Sequence, residues 1–327
     1  MVKILSAVLA ILAGVGGMLA FYWMFNVLVE RLPQRWERRI KPYLFIGPAI
    51  ALVALFLVFP AFQTILYSFT NSDNTAYIGL DNYTTVLQDA GFQDALFNNA
   101  LWIIFVPTLS VAMGLLIAVL ADRLKPRGEK ISKSLIFMPM AISFVGASTI
   151  WGFVYDSRFG QGQDQIGLLS AITTKLGFEP QRWLALAGYS VNDFLLLIIM
   201  IWLQVGFAMV LLSAAVKNVP EETLEAARID GASEIKIFSR VIVPQIWPTV
   251  IVVFTTILIL VMKVFDIVYV MTNGANGTEV IANRFYSLLF TDGENGQAAA
   301  VVVVLMVAVI PVMVYQVRQF RAQEAGR

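Results

Sequence analysis

Residues 225–244 read EAARIDGASEIKIFSRVIVP. The stretch is charged and water-compatible, yet it lies between two apolar runs. One is bracketed by Asp193 and Lys217, the other by Arg240 and Lys263. It is therefore read as a connection between two membrane spans. Leu224, Ala227, Ile235 and Phe238 recur at helical spacing, with Glu, Asp, Lys and Arg on the other positions. Gly231 sits midway, with Asp230 before it and Ser233 after it. This predicts a helix ending near Asp230, a turn at Gly231, and a second helix that Ser233 caps and Pro244 closes against the membrane. A helix–turn–helix held on one face of a membrane protein is shaped to be gripped by a partner.

Composition agrees with a membrane chain. Of 327 residues, 58% are hydrophobic and 14% charged, against about 25% charged in ordinary soluble domains. Mean hydropathy is +0.75. There is no cysteine, hence no disulfide framework or thiolate chemistry, and no histidine, the usual general base and metal ligand. Net charge is +1, and no nucleic-acid partner is expected.

A span needs about 20 apolar residues. Charge-free runs predict seven spans: Lys3 to Glu30, Lys41 to Asp73, Asp94 to Asp122, Lys133 to Asp156, Asp193 to Lys217, Arg240 to Asn273 (interrupted by Lys263 and Asp266), and Glu294 to Arg318. The expected fold is an all-α polytopic membrane protein. Residues 1–41 form an N-terminal transmembrane helix with a basic linker, and 42–327 a six-span core with its loop at about 217–245. The first run is too long for a signal peptide, and Phe21, Tyr22, Trp23 and Phe25 make a poor cleavage site, so an uncleaved helix is expected. Gly14, Gly16 and Gly17 could let it pack closely on a neighbour.

Lys and Arg set the orientation. Arg31, Arg35, Arg38, Arg39 and Lys41 follow the first span; Arg123, Lys125, Arg127, Lys130 and Lys133 follow the third. Lys217, Arg228, Lys236 and Arg240 mark the Gly231 loop, and Arg318, Arg321 and Arg327 the tail. Asp73, Asp81, Asp89 and Asp94 line an opposite, acidic connection. The N-terminus is read as outside and the C-terminus as inside. Short amphipathic pieces are expected in 73–94 and 156–193, with Trp151, Tyr155, Trp183 and Tyr189 suited to the membrane interface.

Polar groups inside spans mark a path or a partner. Lys263 and Asp266 stand three apart, on one helical face, where they either neutralise each other or bind a solute. Tyr269 and Thr272 continue that face outward. Gln204 is a mid-span amide that needs hydrogen-bond partners, from a solute or from a neighbouring helix. Phe144 and Trp202 offer ring faces. Pro107, Pro139, Pro311, Gly146 and Gly206 interrupt spans, as cavities and bends allow.

Glu225, Ala226, Ala227, Gly231, Val241, Val243 and Pro244 follow the order Glu-Ala-Ala, three residues, Gly, nine residues, aliphatic, any, aliphatic, Pro. This resembles the loop of ABC importer permeases, although the family usually has Ile and Leu where two valines stand here. PEETLEAARIDGAS at 220–233 and KVFDIVYVMTNGANGTE at 263–279 resemble the sugar-permease branch, relatives of maltose importer permeases. The likeness runs from about Pro42 to about Arg318. Gly274, Ala275 and Asn276 depart from the Gly-Gly-Pro common there.

The resemblance implies that Glu225, Ala226, Ala227, Asp230, Gly231 and Pro244 couple the chain to an ATPase. It implies solute contacts near Met140, Phe144, Met200, Leu203 and Gln204, and from Lys263 to Asp266. It also implies a second, non-identical permease, two ATP-binding subunits and an extracytoplasmic sugar-binding protein, in the inner membrane of a bacterial cell. No GxxxxGK[ST] loop is present, so ATP would be bound and hydrolysed by the separate subunits, with no cofactor on this chain. The segment at 263–272 and the extra N-terminal helix look most like alpha-glucoside permeases, and glycerol-phosphate importers share the branch. An ion-coupled secondary transporter using Lys263 and Asp266 is the alternative.

Overall fold

The computed structural model describes residues 2–31, 33–159, 164–186 and 191–325. Among these the chain is all-α, with a single isolated antiparallel bridge, Thr70 to Tyr77. The Tyr189 and Arg327 expectations fall outside the described residues.

The contacts divide the chain into residues 1–66 and 67–327. In the first unit, α1 (Val2–Glu30) meets the start of α2 (Gln34–Tyr67). The Tyr22 hydroxyl donates to the Phe45 carbonyl at 3.1 Å, their rings stack, and Lys41 pairs with Glu30 and Glu37. Gly14, Gly16 and Gly17 are not close-packing sites here: a Cβ on any of them meets nothing within 4 Å. α2 widens into a π turn at Ala54–Val58, just before Pro60. Proline has no N–H to return to the carbonyl four residues back, and its ring crowds that carbonyl. The wide turn relieves both.

The second unit is built on α4 (Ala90–Asp122) and α8 (Val191–Lys217). A Cβ on Gly114 would lie 2.6 Å from the Ala208 Cβ, so the two backbones touch there. Trp102, Val106, Leu196, Leu197, Met200 and Met209 fill the seam, all fully or almost fully buried. Asp89 opens α4 by accepting from the Phe92 N–H at 2.9 Å and pairs with Arg284 at 3.0 Å. The expected amphipathic pieces are α3 (Asp81–Gln88) and α7 (Leu168–Lys175).

Among the described residues, six helices are long and apolar enough to span a bilayer. The fourth predicted span differs: α5 (Pro126–Phe137) continues through a tight turn at 138–141, then meets α6 (Phe144–Tyr155) at a 105° bend. Ile142 and Ser143 are extended, and Ser143 caps α6 by accepting from the Gly146 N–H at 3.1 Å. Pro139 and a Ser cap within an apolar run are what end one helix and start the next.

The sixth predicted span is also broken. α10 (Glu234–Val261) stops, residues 262–265 are non-helical, and α11 (Asp266–Met271) begins afresh. Pro244 does not close the loop helix. A π turn at Phe238–Ile242 carries α10 past it into the span, the same device as in α2.

Beyond α11 the chain turns through Asn273, Gly274, Asn276 and Gly277, all at positive φ. Buried asparagines pin this corner. The Asn98 amide donates to the carbonyls of Gly277 (2.7 Å) and Glu279 (2.9 Å), and Asn192 to that of Asn276 (2.9 Å). Asn99 Oδ1 accepts from the N–H of Ile281, which opens α12 (Ile281–Phe290). α13 (Asn295–Ala325) completes the chain. Asn98→Ala strands two carbonyls and is expected to cost about 1–3 kcal/mol. A lower melting temperature of the detergent-solubilised protein measures it; an unchanged one refutes the pinning.

Candidate functional site

Two sites emerge, one inside the helix assembly and one at the Gly231 loop. The first is a cavity of about 440 Å³ at the α5–α6 bend. Met140, Phe144, Leu203, Gln204 and Asp266, distant in sequence, all line it. The bend opens the space, and the break after Val261 delivers Asp266 to its rim. Ser143, Thr256 and Phe207 also line it; the sequence reading passed over them, although a Ser cap inside an apolar run was a usable signal.

Gln204 is 7% exposed, and its amide nitrogen faces Met200 Sδ at 4.0 Å on its own helix. A thioether is a weak acceptor. The amide therefore keeps hydrogen-bonding capacity for a solute, and the alternative, a bond to a neighbouring helix, is absent among the described residues. Met200 is 1% exposed and packs behind the wall without lining the cavity.

Lys263 and Asp266 are not on one helical face. Lys263 sits in the non-helical break, Asp266 starts α11, and both are exposed. Among the described residues they form no ion pair with each other, and Lys263 does not line the cavity. The Phe265 backbone, at φ −141° and ψ −59°, takes up the change of direction.

Aromatics expected at the membrane interface or on a solute are partly used for packing. Trp202 lies edge-on to Trp151 at 5.9 Å. Tyr155 is buried and donates to the Leu195 carbonyl at 2.7 Å, and Trp183 Nε1 donates to Ser170 Oγ at 2.9 Å.

The second site is the loop. α9 (Glu221–Ile229) is followed by Asp230 at the cap and Gly231 at φ +77°. The Ala232 N–H reaches back to the Ala227 carbonyl and the Gly231 N–H to that of Arg228, each at 3.0 Å. This closure satisfies the helix's last carbonyls and needs the left-handed residue that Gly supplies. Ser233 occupies the N-cap position of α10 but makes no side-chain cap bond. Arg228 and Arg123 both pair with Glu234.

Leu224 packs on the core as its spacing predicts, but Ile235 points outward at 80% exposure and Ile237 is the buried residue. Ile229, at 85% exposure, flanks the same turn. Glu225 and Ala226 are exposed, and Glu225 enters no ion pair among the described residues.

Beneath the loop lies an ion network. Lys133 of α5 pairs with Asp122 and Glu129 and donates to Ser213 Oγ of α8. Lys217 at the end of α8 pairs with the same two carboxylates. The network ties α4, α5 and α8 together at the end where α9 and α10 attach.

Known proteins resemble this chain in sequence and fold. Residues 98–322 match the family described as binding-protein-dependent transport system inner membrane component. The alpha-glucoside transport system permease protein AglF of Rhizobium meliloti (strain 1021) is 44% identical over 340 residues, covering 100% of each chain. The osmoprotective compounds uptake permease protein GgtC of Synechocystis sp. is 48% identical over 284 residues, 87% of this chain and 100% of that one. A crystal structure of a bacterial ABC transporter involved in the import of the acidic polysaccharide alginate superposes with a TM-score of 0.75 at 20% identity, covering 88% of this chain and 99% of that chain. That match shows a shared fold. The chain belongs to the inner-membrane component family of binding-protein-dependent transport systems, as a permease subunit of an ABC importer.

Proposed function

We propose that this permease carries a carbohydrate, a di- or oligosaccharide such as an alpha-glucoside, into the bacterial cytoplasm, using ATP hydrolysed on separate subunits. The observation that carries the reading is the cavity, where two helix breaks bring Gln204 and Asp266 together with Ser143 and Thr256 on otherwise apolar walls. Its volume of about 440 Å³ falls in the range of small-molecule sites. An unpaired amide, a carboxylate and two hydroxyls suit a ligand rich in hydroxyl groups. The names of AglF and of the alginate transporter favour the same substrate class.

The Glu225 loop docks one ATPase subunit, with Glu225 as charge partner, Ala226 and Ala227 allowing close approach, and Asp230 and Gly231 setting the turn. ATP draws two such subunits together, the loop moves as a body, and the cavity switches its open side. A second, non-identical permease completes the pathway, and an extracytoplasmic binding protein delivers the sugar. The N-terminus lies outside and the C-terminus in the cytoplasm. Residues 1–41 form an N-terminal transmembrane helix and basic linker ahead of the six-span part, 42–327. The ion-coupled alternative gains nothing from the geometry, since Lys263 and Asp266 stand apart from each other.

The test is ATP-dependent uptake of a labelled sugar panel by the chain co-expressed with its ATPase, partner permease and binding protein. Gln204→Leu removes the amide at similar volume. It is expected to slow uptake of the preferred sugar about tenfold, one lost hydrogen bond to a substrate hydroxyl. Uptake of no sugar, or uptake without ATP, sinks the proposal.

A further inference from the structure

Four aromatic rings form an unbroken series beside the cavity. Phe265 stacks on Tyr269 with ring centres 5.0 Å apart. Tyr286 of α12 closes on both, at 5.3 Å from Phe265 and 5.1 Å from Tyr269, and Phe290 follows at 4.8 Å. The series starts at the residue before Asp266, on the cavity rim. Tyr269 lies three residues beyond Asp266, one turn along the same face of α11. α11 then leads to the pinned corner at 273–277, and α12, which follows that corner, carries Tyr286 and Phe290 back into ring contact with Phe265 and Tyr269.

The buried side of α11 is Ile267 and Val268, both 0% exposed, whereas Tyr269 is 39% exposed. This face differs in composition from the exposed face of the last helix. The exposed face of α13 is aliphatic, with Val307, Ile310, Met313 and Val314, while the α11–α12 face offers flat rings, two of them bearing hydroxyls. Ring faces carry the negative side of the aromatic quadrupole, which suits the C–H face of a pyranose, and the phenol hydroxyls and Asp266 supply groups for its rim.

We propose that Phe265, Tyr269 and Tyr286 form a stacking track for sugar rings beside the cavity, with Tyr269 its specificity-determining residue. The inference rests on the carbohydrate reading above. The track needs the flat ring of Tyr269, and the hydroxyl is secondary.

The assembled transporter, in proteoliposomes with its ATPase, partner permease and binding protein, tests this. The readouts are ATP-driven uptake of a radiolabelled alpha-linked disaccharide and co-purification of the subunits. Tyr269→Phe keeps the ring and is expected to stay within about twofold of wild type, whereas Tyr269→Leu and Tyr286→Leu keep apolar bulk and are expected to lose about tenfold in uptake with the complex intact. If Leu serves as well as Phe, the ring is not used and the track is refuted. If the Leu variants shed the partner permease, the rings are a subunit contact and the track is likewise refuted. If wild type itself takes up no sugar, the carbohydrate reading falls and the track falls with it.

Discussion

Glu225→Arg is expected to lower ATP-driven uptake at least about thirtyfold while the chain accumulates in the membrane at its normal level. Both halves follow from the loop's geometry. Glu225 is exposed and unpaired among the described residues, so the isolated chain loses little by its reversal. The loop itself is rigid, because the Ala232-to-Ala227 and Gly231-to-Arg228 bonds lock the end of α9. An unpaired charge on a rigid exposed helix is poised for a partner. Truncating one member of a desolvated interfacial charge pair costs about 2–5 kcal/mol, and reversal adds repulsion.

Ile229 and Ile235 strengthen the argument. Two isoleucines more than three-quarters exposed on a charged loop are a strange choice for a surface that meets only water. They would sit against apolar residues of the same partner. Co-purification of the ATPase with the variant checks the mechanism directly. Retained ATPase binding and retained uptake would mean that the loop only connects two helices.

Gly206→Leu is expected to prevent assembly. Gly206 lies in α8 between Gln204 and Phe207, two residues that line the cavity. A Cβ there would be 2.5 Å from the Ile136 carbonyl oxygen and 2.8 Å from the Phe137 Cα. Both obstacles are backbone, so no rotamer change makes room. Overpacking a core typically costs about 1–3 kcal/mol, and a whole isobutyl group against main chain exceeds that range. The expected result is loss of monodisperse protein on size-exclusion chromatography. Gly16→Leu, where a Cβ meets nothing within 4 Å, is the control and should leave the elution profile unchanged. A normal profile for Gly206→Leu would mean that α5 and α8 do not touch as described.

Different parts of this molecule were legible in the sequence to different degrees. The loop was readable because its signals are local: a glycine between two amphipathic turns, with charges on the wet positions. The phase of its second helix was not, since the turn at Gly231 breaks the chain into two helices and a spacing counted across it carries no phase. Ile235, which the spacing placed on the apolar face, is exposed, and Ile237 is buried instead. Long spans were readable from charge-free length. The breaks inside them were not taken from their local signals, the Ser143 cap after Pro139 and the charges of Lys263 and Asp266, because hydropathy measures length and is blind to backbone direction. The cavity depends on those two breaks. Gln204 was legible as a mid-span amide and Phe144 as a ring face, Met140 and Leu203 came by resemblance, and Lys263 was misplaced by assuming that the helix continued.

A π turn holds one more residue than the α turn it replaces. The turn at Phe238–Ile242 thus works as a one-residue spacer between the proposed docking loop and the shaft that follows it. Each residue of an α-helix rotates the chain by about 100°. The spacer therefore sets the bearing of Ile235 and Glu234 independently of the side chains that α10 turns toward the cavity. The bearing proposed for the ATPase and the bearing proposed for the solute can then change separately, by gain or loss of a single position, with neither surface rebuilt.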